Sequence, residues 1–300
     1  MKRLASALVF CTTVLAQAPK TGALPLLDCD GLLCIDATAG GGQTLRLVLD
    51  LGARNAYLDS KAAQKLGIAP AGDSPVQQTT VAGLRLGDLP MGDFPFMVLD
   101  TTPDLSAGFK KVKSKPLPAD GALTFGAFQN RMLQVDIANK FIHVSEPLKD
   151  AVPCPNKCAD IVTKHFGRFG PVTLTVVGFE LNGQSLDAQI DTLFTGTILI
   201  YPAAVERLGI KKLAKSKQKE PFPYAQDGLR LARADGGDLS FRGVALMQNA
   251  PVYFWAEKDE APSATHFDAT VGTALLSHGV ATFDFKGQHF WIEGPDTDDR

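Results

Sequence analysis

Long apolar runs, metal-ligand spacings and a strong net charge are missing from this chain, and each absence removes a class of function. Past the first 16 residues no segment is apolar for long enough to cross a bilayer as a helix. The formal net charge is −2 over 300 residues. That field is too weak to draw in nucleic acid or an anionic membrane surface as a whole. Two local basic runs, 110–115 and 211–219, read as solvated loops or helix faces. The five histidines, His143, His165, His266, His278 and His289, show no metal-ligand spacing, and no Gly-x-Ser-x-Gly elbow occurs. Gly40, Gly41 and Gly42 run into Gln43-Thr44 and a further strand-like segment. A phosphate cradle would lead into a helix through Lys-Ser or Lys-Thr, so these glycines read as a hairpin turn. Neither a metal nor a cofactor is expected.

Hydrophobic residues make up 45% of the chain, enough for one large core or two ordinary ones. The N-terminus has the three parts of a secretory signal: Lys2 and Arg3, an apolar run over 4–15, and Val14-Leu15-Ala16 as a small-residue cleavage site. Cys11 lies inside that apolar run. Cleavage after Ala16 implies a secreted or periplasmic protein. It leaves four cysteines, Cys29, Cys34, Cys154 and Cys158. An even count in an exported chain reads as disulfides, with three possible connectivities. Local pairing is the simplest, across "DGLL" and within "CPNKC". A four-thiolate zinc site is the rival.

The chain also repeats itself. "LVLDLGARNAYLDSKAAQKLGI" (47–68) and "AQIDTLFTGTILIYPAAVERLGI" (188–210) each place an aspartate at the end of an apolar run. Each then resumes an apolar run and closes on an amphipathic stretch ending Leu-Gly-Ile. Upstream, both aspartates follow two strand-like runs, joined by the glycine turn in one copy and by Asn182-Gly183 in the other, a strong hairpin signal. Downstream, "SKAAQKLG" and "PAAVERLG" predict short helices whose last glycine suits a left-handed cap. Farther on, both copies carry an apolar segment, a short helix, a strand ending in Asp136 or Asp284, a turn at Asn139 or Gly287, and a closing strand. The organisation expected is a signal at 1–16, an N-terminal lobe at 17–147, a connector at 148–158, a C-terminal lobe at 159–294 and an acidic tail at 295–300.

Two equivalent aspartate turns meeting at a pseudo-twofold axis would place two carboxylates side by side. Such a pair shares one proton, and one member can take a proton from water while the other donates one. On these residues the chain resembles the aspartic peptidases, and the retropepsin-like group of bacterial proteins more than the larger pepsins. That family carries Asp-Thr-Gly-Ala or Asp-Ser-Gly-Ala at a strand end, a Leu-Gly-terminated helix, and an apolar-apolar-Gly segment threaded through a loop. The resemblance covers nearly the whole mature chain. It implies an all-β fold with short helices, two fused β-barrel lobes in a monomer, and Asp50 and Asp191 as the catalytic dyad. It further implies Leu51, Gly52, Ala53, Thr192 and Leu193 as the residues supporting the dyad and cleft. The apolar-apolar-Gly position is matched by Val271-Gly272 in the second lobe and by Leu123-Thr124 in the first.

The sequence departs from the family at two places. Asp50-Leu51-Gly52 lacks the hydroxyl that ties the two loops together across the axis. Asp191-Thr192-Leu193 keeps the hydroxyl but lacks the glycine, so Leu193 would intrude into the cleft or reshape its loop. Two functions follow: hydrolysis of peptide or protein substrates, or silent binding of an extended peptide in the same cleft by main-chain hydrogen bonds. A structural module for a larger assembly is a third reading. Flaps closing over a peptide are expected from hairpins within 76–100 and 229–247.

Overall fold

The computed structural model describes residues 21–68, 77–99, 113–114, 117–165, 172–211, 213–215, 218–221, 226–227, 230–255 and 267–294. The signal segment with Cys11, His266, the acidic tail and part of both basic runs lie outside these residues.

In the first lobe, strands β1 (Thr21–Pro25), β2 (Leu27–Cys29), β3 (Leu32–Thr38), β4 (Thr44–Asp50) and β5 (Tyr57–Asp59) precede helix α1 (Ser60–Lys65). They are followed by β6 (Gln77–Leu86), β7 (Leu89–Leu99), β8 (Lys113–Ser114), β9 (Gly121–Thr124), β10 (Met132–Asp136) and β11 (Phe141–Ser145). The second lobe begins with β12 (Ala159–His165), β13 (Val172–Leu181), β14 (Gln184–Ile190), β15 (Ile198–Ile200) and α2 (Pro202–Arg207). It continues through β16 (Gln218–Pro221), β17 (Gln226–Asp227), β18 (Arg230–Phe241), β19 (Val244–Trp255), β20 (Ala269–Val271), α3 (Thr273–Leu276), β21 (Val280–Asp284) and β22 (His289–Glu293).

The duplication read from sequence is a duplication of topology. In the first lobe the strands run β3-β4-β9-β5-β7-β6, with β3 also pairing β6. In the second they run β13-β14-β20-β15-β19-β18, with β13 also pairing β18. The matched pairs agree in direction: β4–β9 and β14–β20 are parallel, and β5–β7 and β15–β19 are parallel. The middle strand thus enters beside the strand that carries the aspartate. Local chemistry follows the sequence as well. Gly67 and Gly209, just past α1 and α2, have φ of 74° and 65°, the left-handed cap conformation that costs glycine nothing. Asn182 and Gly183 both have positive φ, as a two-residue hairpin turn requires.

The lobes are joined by a sheet for which the sequence carries no local signal. Strands β1-β11-β10-β21-β22-β12 lie side by side in one order, and the antiparallel β10–β21 pair crosses from lobe to lobe with Leu133 opposite Phe283. Leu133, Val135, Ala281, Phe283 and Phe290 of this sheet are fully buried. One apolar cluster runs from Leu24 to Ile292 through both lobes. The segment between β11 and β12 has no strand or helix. It is anchored by Val152 N–H, which donates to the buried Asp284 carboxylate at 2.9 Å.

The cysteines pair locally, Cys29 with Cys34 and Cys154 with Cys158. The four-thiolate alternative therefore does not hold. The first disulfide is buried in an apolar cluster with Leu32, Val48, Tyr57 and Ala122. None of the described helices is long and apolar enough to cross a membrane.

Neither candidate hairpin carries its tip to the aspartates. The β6–β7 tip lies beside β1, where Leu86 and Leu89 are buried and a side chain on Gly87 would meet Leu24 at 2.9 Å. Gly40 N–H donates to Ala82 at 2.7 Å, which fastens the same hairpin to the β3–β4 turn. The β18–β19 tip is held by Arg242 N–H donating to Gly178 at 2.9 Å, at the bulge within β13. Thr38 opposite Arg85 and Phe179 opposite Phe241 run each tip back along β3 or β13. The tips end against Leu24 of β1 and beside Gly294, and these contacts hold them away from the aspartate turns.

Candidate functional site

Asp50 ends β4, and Asp191 follows the last residue of β14. In each lobe the neighbouring strand holds the aspartate in place. Asp50 is in parallel register with Thr124, and Asp191 N–H donates to Val271 at 3.0 Å. Immediately after each aspartate the chain turns back on the carboxylate. Gly52 N–H donates to Asp50 Oδ1 at 2.9 Å, and Leu193 N–H donates to Asp191 Oδ1 at 2.9 Å. Leucine in place of glycine has therefore not reshaped the second turn.

The two turns touch. A side chain on Gly52 would begin 2.7 Å from Asp191 Cγ, so only glycine lets the first turn lie against the second carboxylate. Thr192 ties the turns with one hydroxyl. It accepts from Leu51 N–H at 2.9 Å and donates to the Leu49 carbonyl at 2.5 Å. Leu51, in the corresponding position, has no hydroxyl with which to return these bonds. Its side chain is fully buried in the apolar core instead.

Leu193 leaves its own lobe and packs against an apolar cluster of the first, one that includes Val48, Tyr57 and Ala122. The symmetry of the dyad is broken there. Asp50 is only 4% exposed, whereas Asp191 is half-buried. Burial pushes the Asp50 carboxyl up from 3.8 to about 7, helped by the negative charge of Asp191 and opposed by the Gly52 and Ala53 N–H groups. Burial also raises Asp191, against the N–H groups of Leu193 and Phe194. The arrangement can hold one proton between two carboxyls at mildly acid pH.

The apolar-apolar-Gly positions differ between the lobes. Gly272 fits so closely under the Phe194 and Gly196 carbonyls that no side chain could replace its hydrogen. Val271 beside it is fully buried. In the first lobe Thr124 takes the glycine's place and donates its hydroxyl to the Arg54 carbonyl at 2.7 Å. The close backbone approach is made there by Gly126, under that same carbonyl. Leu123 is fully buried.

Two residues near the dyad had no signal in the sequence. Tyr201 is buried, its hydroxyl 3.1 Å from Thr270 Oγ1, and burial with the nearby Asp191 charge raises its pKa. Arg54, four residues after Asp50, lines a groove between the lobes. Both lie inside the repeated stretches 47–68 and 188–210, but neither residue type recurs at the matching place in the other copy, so only the packing of the lobes reveals them.

No sequence family and no curated protein sequence matches the chain. Its fold is found among solved structures. An aspartic proteinase from Irpex lacteus superposes with a TM-score of 0.51 at 12% identity, covering 93% of this chain and 99% of its own. Conglutin gamma, a basic 7S globulin from lupine seeds, also gives 0.51, at 11% identity, over 93% and 96%. At such identities the likeness is one of fold: a two-lobed, all-β, pepsin-like architecture.

Proposed function

We propose that the protein is an exported aspartic peptidase that hydrolyses peptide bonds with the Asp50–Asp191 pair. One observation carries the reading: two turns in register across a duplicated fold, tied by Thr192, with the Asp50 carboxyl raised to about 7 by burial and by Asp191. With one proton on the pair, the ionised carboxylate removes a proton from water as the water oxygen bonds to the peptide carbonyl carbon. The protonated partner donates to the carbonyl oxygen. When the tetrahedral species collapses, the carbon–nitrogen bond breaks, the amine leaves with a proton from one carboxyl, and a hydroxyl of that species returns its proton to the other as the carbonyl re-forms, so the pair ends as it began, with one proton.

Cleavage of a denatured protein substrate is expected between about pH 3 and pH 7, set by the carboxyl titrations. Asp50→Asn and Asp191→Asn should each abolish it while the circular dichroism spectrum stays unchanged. Cleavage retained by either variant would move the chemistry elsewhere. A second reading, silent binding of an extended peptide, is favoured by Leu193, which fills space that the family leaves open beside the dyad. Under that reading the natural chain binds a statine-type peptide without cutting substrate, and Leu193→Gly is the change that admits a scissile bond.

A further inference from the structure

The groove that Arg54 lines has a volume of about 280 Å³ and is built by both lobes. Its floor is apolar: Phe125 of the first lobe with Ile161, Leu174 and Phe285 of the second. All but Phe285 are buried. Its rim is polar, with the side chains of Arg54, Gln129, Asn130 and Gln288. No acidic residue lines it, and among the described residues no ion pair engages the Arg54 guanidinium. The groove adjoins the dyad through the chain itself. Arg54 lies on the turn that leaves Asp50, and Phe125 directly follows Thr124, the β-ladder partner of Asp50.

We infer that this groove takes the C-terminal residue of a peptide, an apolar side chain on the floor with its free carboxylate on Arg54. A pocket at the lower edge of the size range for ligand sites suits one residue better than a larger ligand. The floor requires an apolar body and the rim a planar anion that a guanidinium can grip with two parallel hydrogen bonds. A terminal leucine or phenylalanine supplies both from one residue. Aspartate or glutamate side chains supply the anion with little apolar surface. The three rim amides can bond the preceding peptide group. The inference rests on the peptide-cleft reading above, which it narrows from any extended peptide to one whose terminal residue sits at Arg54.

The test is binding of a short fluorescent peptide ending in leucine to the Asp50→Asn full-length protein, which removes cleavage from the measurement. Three versions are compared: the free acid, its C-terminal amide, and an amidated peptide carrying an internal glutamate. The free acid should bind about tenfold more tightly than the amide, the worth of a charge-assisted pair at a partly exposed site. In an Arg54→Gln background the two should bind alike, at the affinity of the amide. Because Arg54 is exposed, this variant should fold, as its unfolding midpoint will show. Equal binding of acid and amide by the Arg54 protein, or a preference that survives Arg54→Gln, overturns the inference. So does an internal glutamate that binds as tightly as the free acid, since the anion would then come from a side chain. Failure of the dyad reading shows separately, as substrate left uncut by the natural chain while the acid-over-amide preference persists.

Discussion

Thr192 forms both cross-lobe hydrogen bonds at the aspartate turns with one hydroxyl, and the groups it serves, Leu51 N–H and the Leu49 carbonyl, belong to fully buried residues. Thr192→Val keeps the shape and leaves these groups without that partner, at a cost of about 2–4 kcal/mol in stability. Urea unfolding should show this loss, whereas Thr192→Ser should stay within about 1 kcal/mol of the natural chain. Gly52→Ala is the steric counterpart. Its new carbon would begin 2.7 Å from Asp191 Cγ, so the carboxyl has to move. A displacement of about 1 Å at a reacting centre lowers the proposed cleavage about a hundredfold. Leu51→Thr would add a reciprocal hydroxyl but would also place it in the core that Leu51 fills, so its net benefit is smaller than the sequence alone suggests.

The dyad also sets a pH dependence. Asp50 titrates at about 7 when folded and near its ordinary 3.8 when unfolded, so the folded chain binds the extra proton between those values. Stability therefore falls as pH rises from about 4 to 7, by an amount on the order of 4 kcal/mol from this group. Asp50→Asn should reduce that slope, leaving the part that the raised Asp191 carboxyl contributes in the same direction. A natural chain whose unfolding midpoint is flat from pH 4 to pH 8 would show that Asp50 is not held protonated by the fold.

At the scale of the element, turn chemistry decides most of what forms. The glycine turn at 39–43 and the Asn182-Gly183 turn close their hairpins because positive φ costs little there. Gly67 and Gly209 end the two helices for the same reason. The Cys29–Cys34 disulfide staples the β2–β3 hairpin within the apolar cluster against which Leu193 packs. A closed loop that short constrains the unfolded chain by about 2 kcal/mol. Cys29→Ala with Cys34→Ala should lose about that much, and alkylation of the unreduced natural protein should leave Cys29, Cys34, Cys154 and Cys158 without adducts. Adducts on folded protein would contradict both bridges.

For the whole molecule, the β10–β21 ladder makes the lobes one cooperative unit. The apolar cluster crosses that ladder without a break, so neither lobe can expose its share of the core alone without losing burial worth roughly 25 cal/mol per Å². Thermal unfolding should follow a single transition. The fluorescence of Trp255 and Trp291, both in the second lobe, should change at the same temperature as the far-ultraviolet circular dichroism of the whole chain. Two separated transitions would show that the central sheet does not couple the lobes.

The amino-acid sequence by itself determined the repeat, the aspartate at the end of each hairpin and the helix caps, and it left local cysteine pairing as the simplest of three connectivities. All of these are written in residues close together in the chain, through turn conformation, apolar periodicity and short loop closure. Only the tertiary structure decided what depends on the meeting of distant segments. Leu193 keeps its turn and packs its half-buried side chain against the other lobe, where the sequence left intrusion and reshaping open. The two hairpins proposed as flaps are fastened to their own lobes instead, by Gly40 N–H donating to Ala82 and Arg242 N–H donating to Gly178. The unequal burial of Asp50 and Asp191, and the groove at Arg54, arise where the two copies have diverged and face each other. A duplicated sequence encodes each turn twice, but the energy of a buried carboxyl belongs to the contact between the copies, and that contact exists only once the lobes are packed.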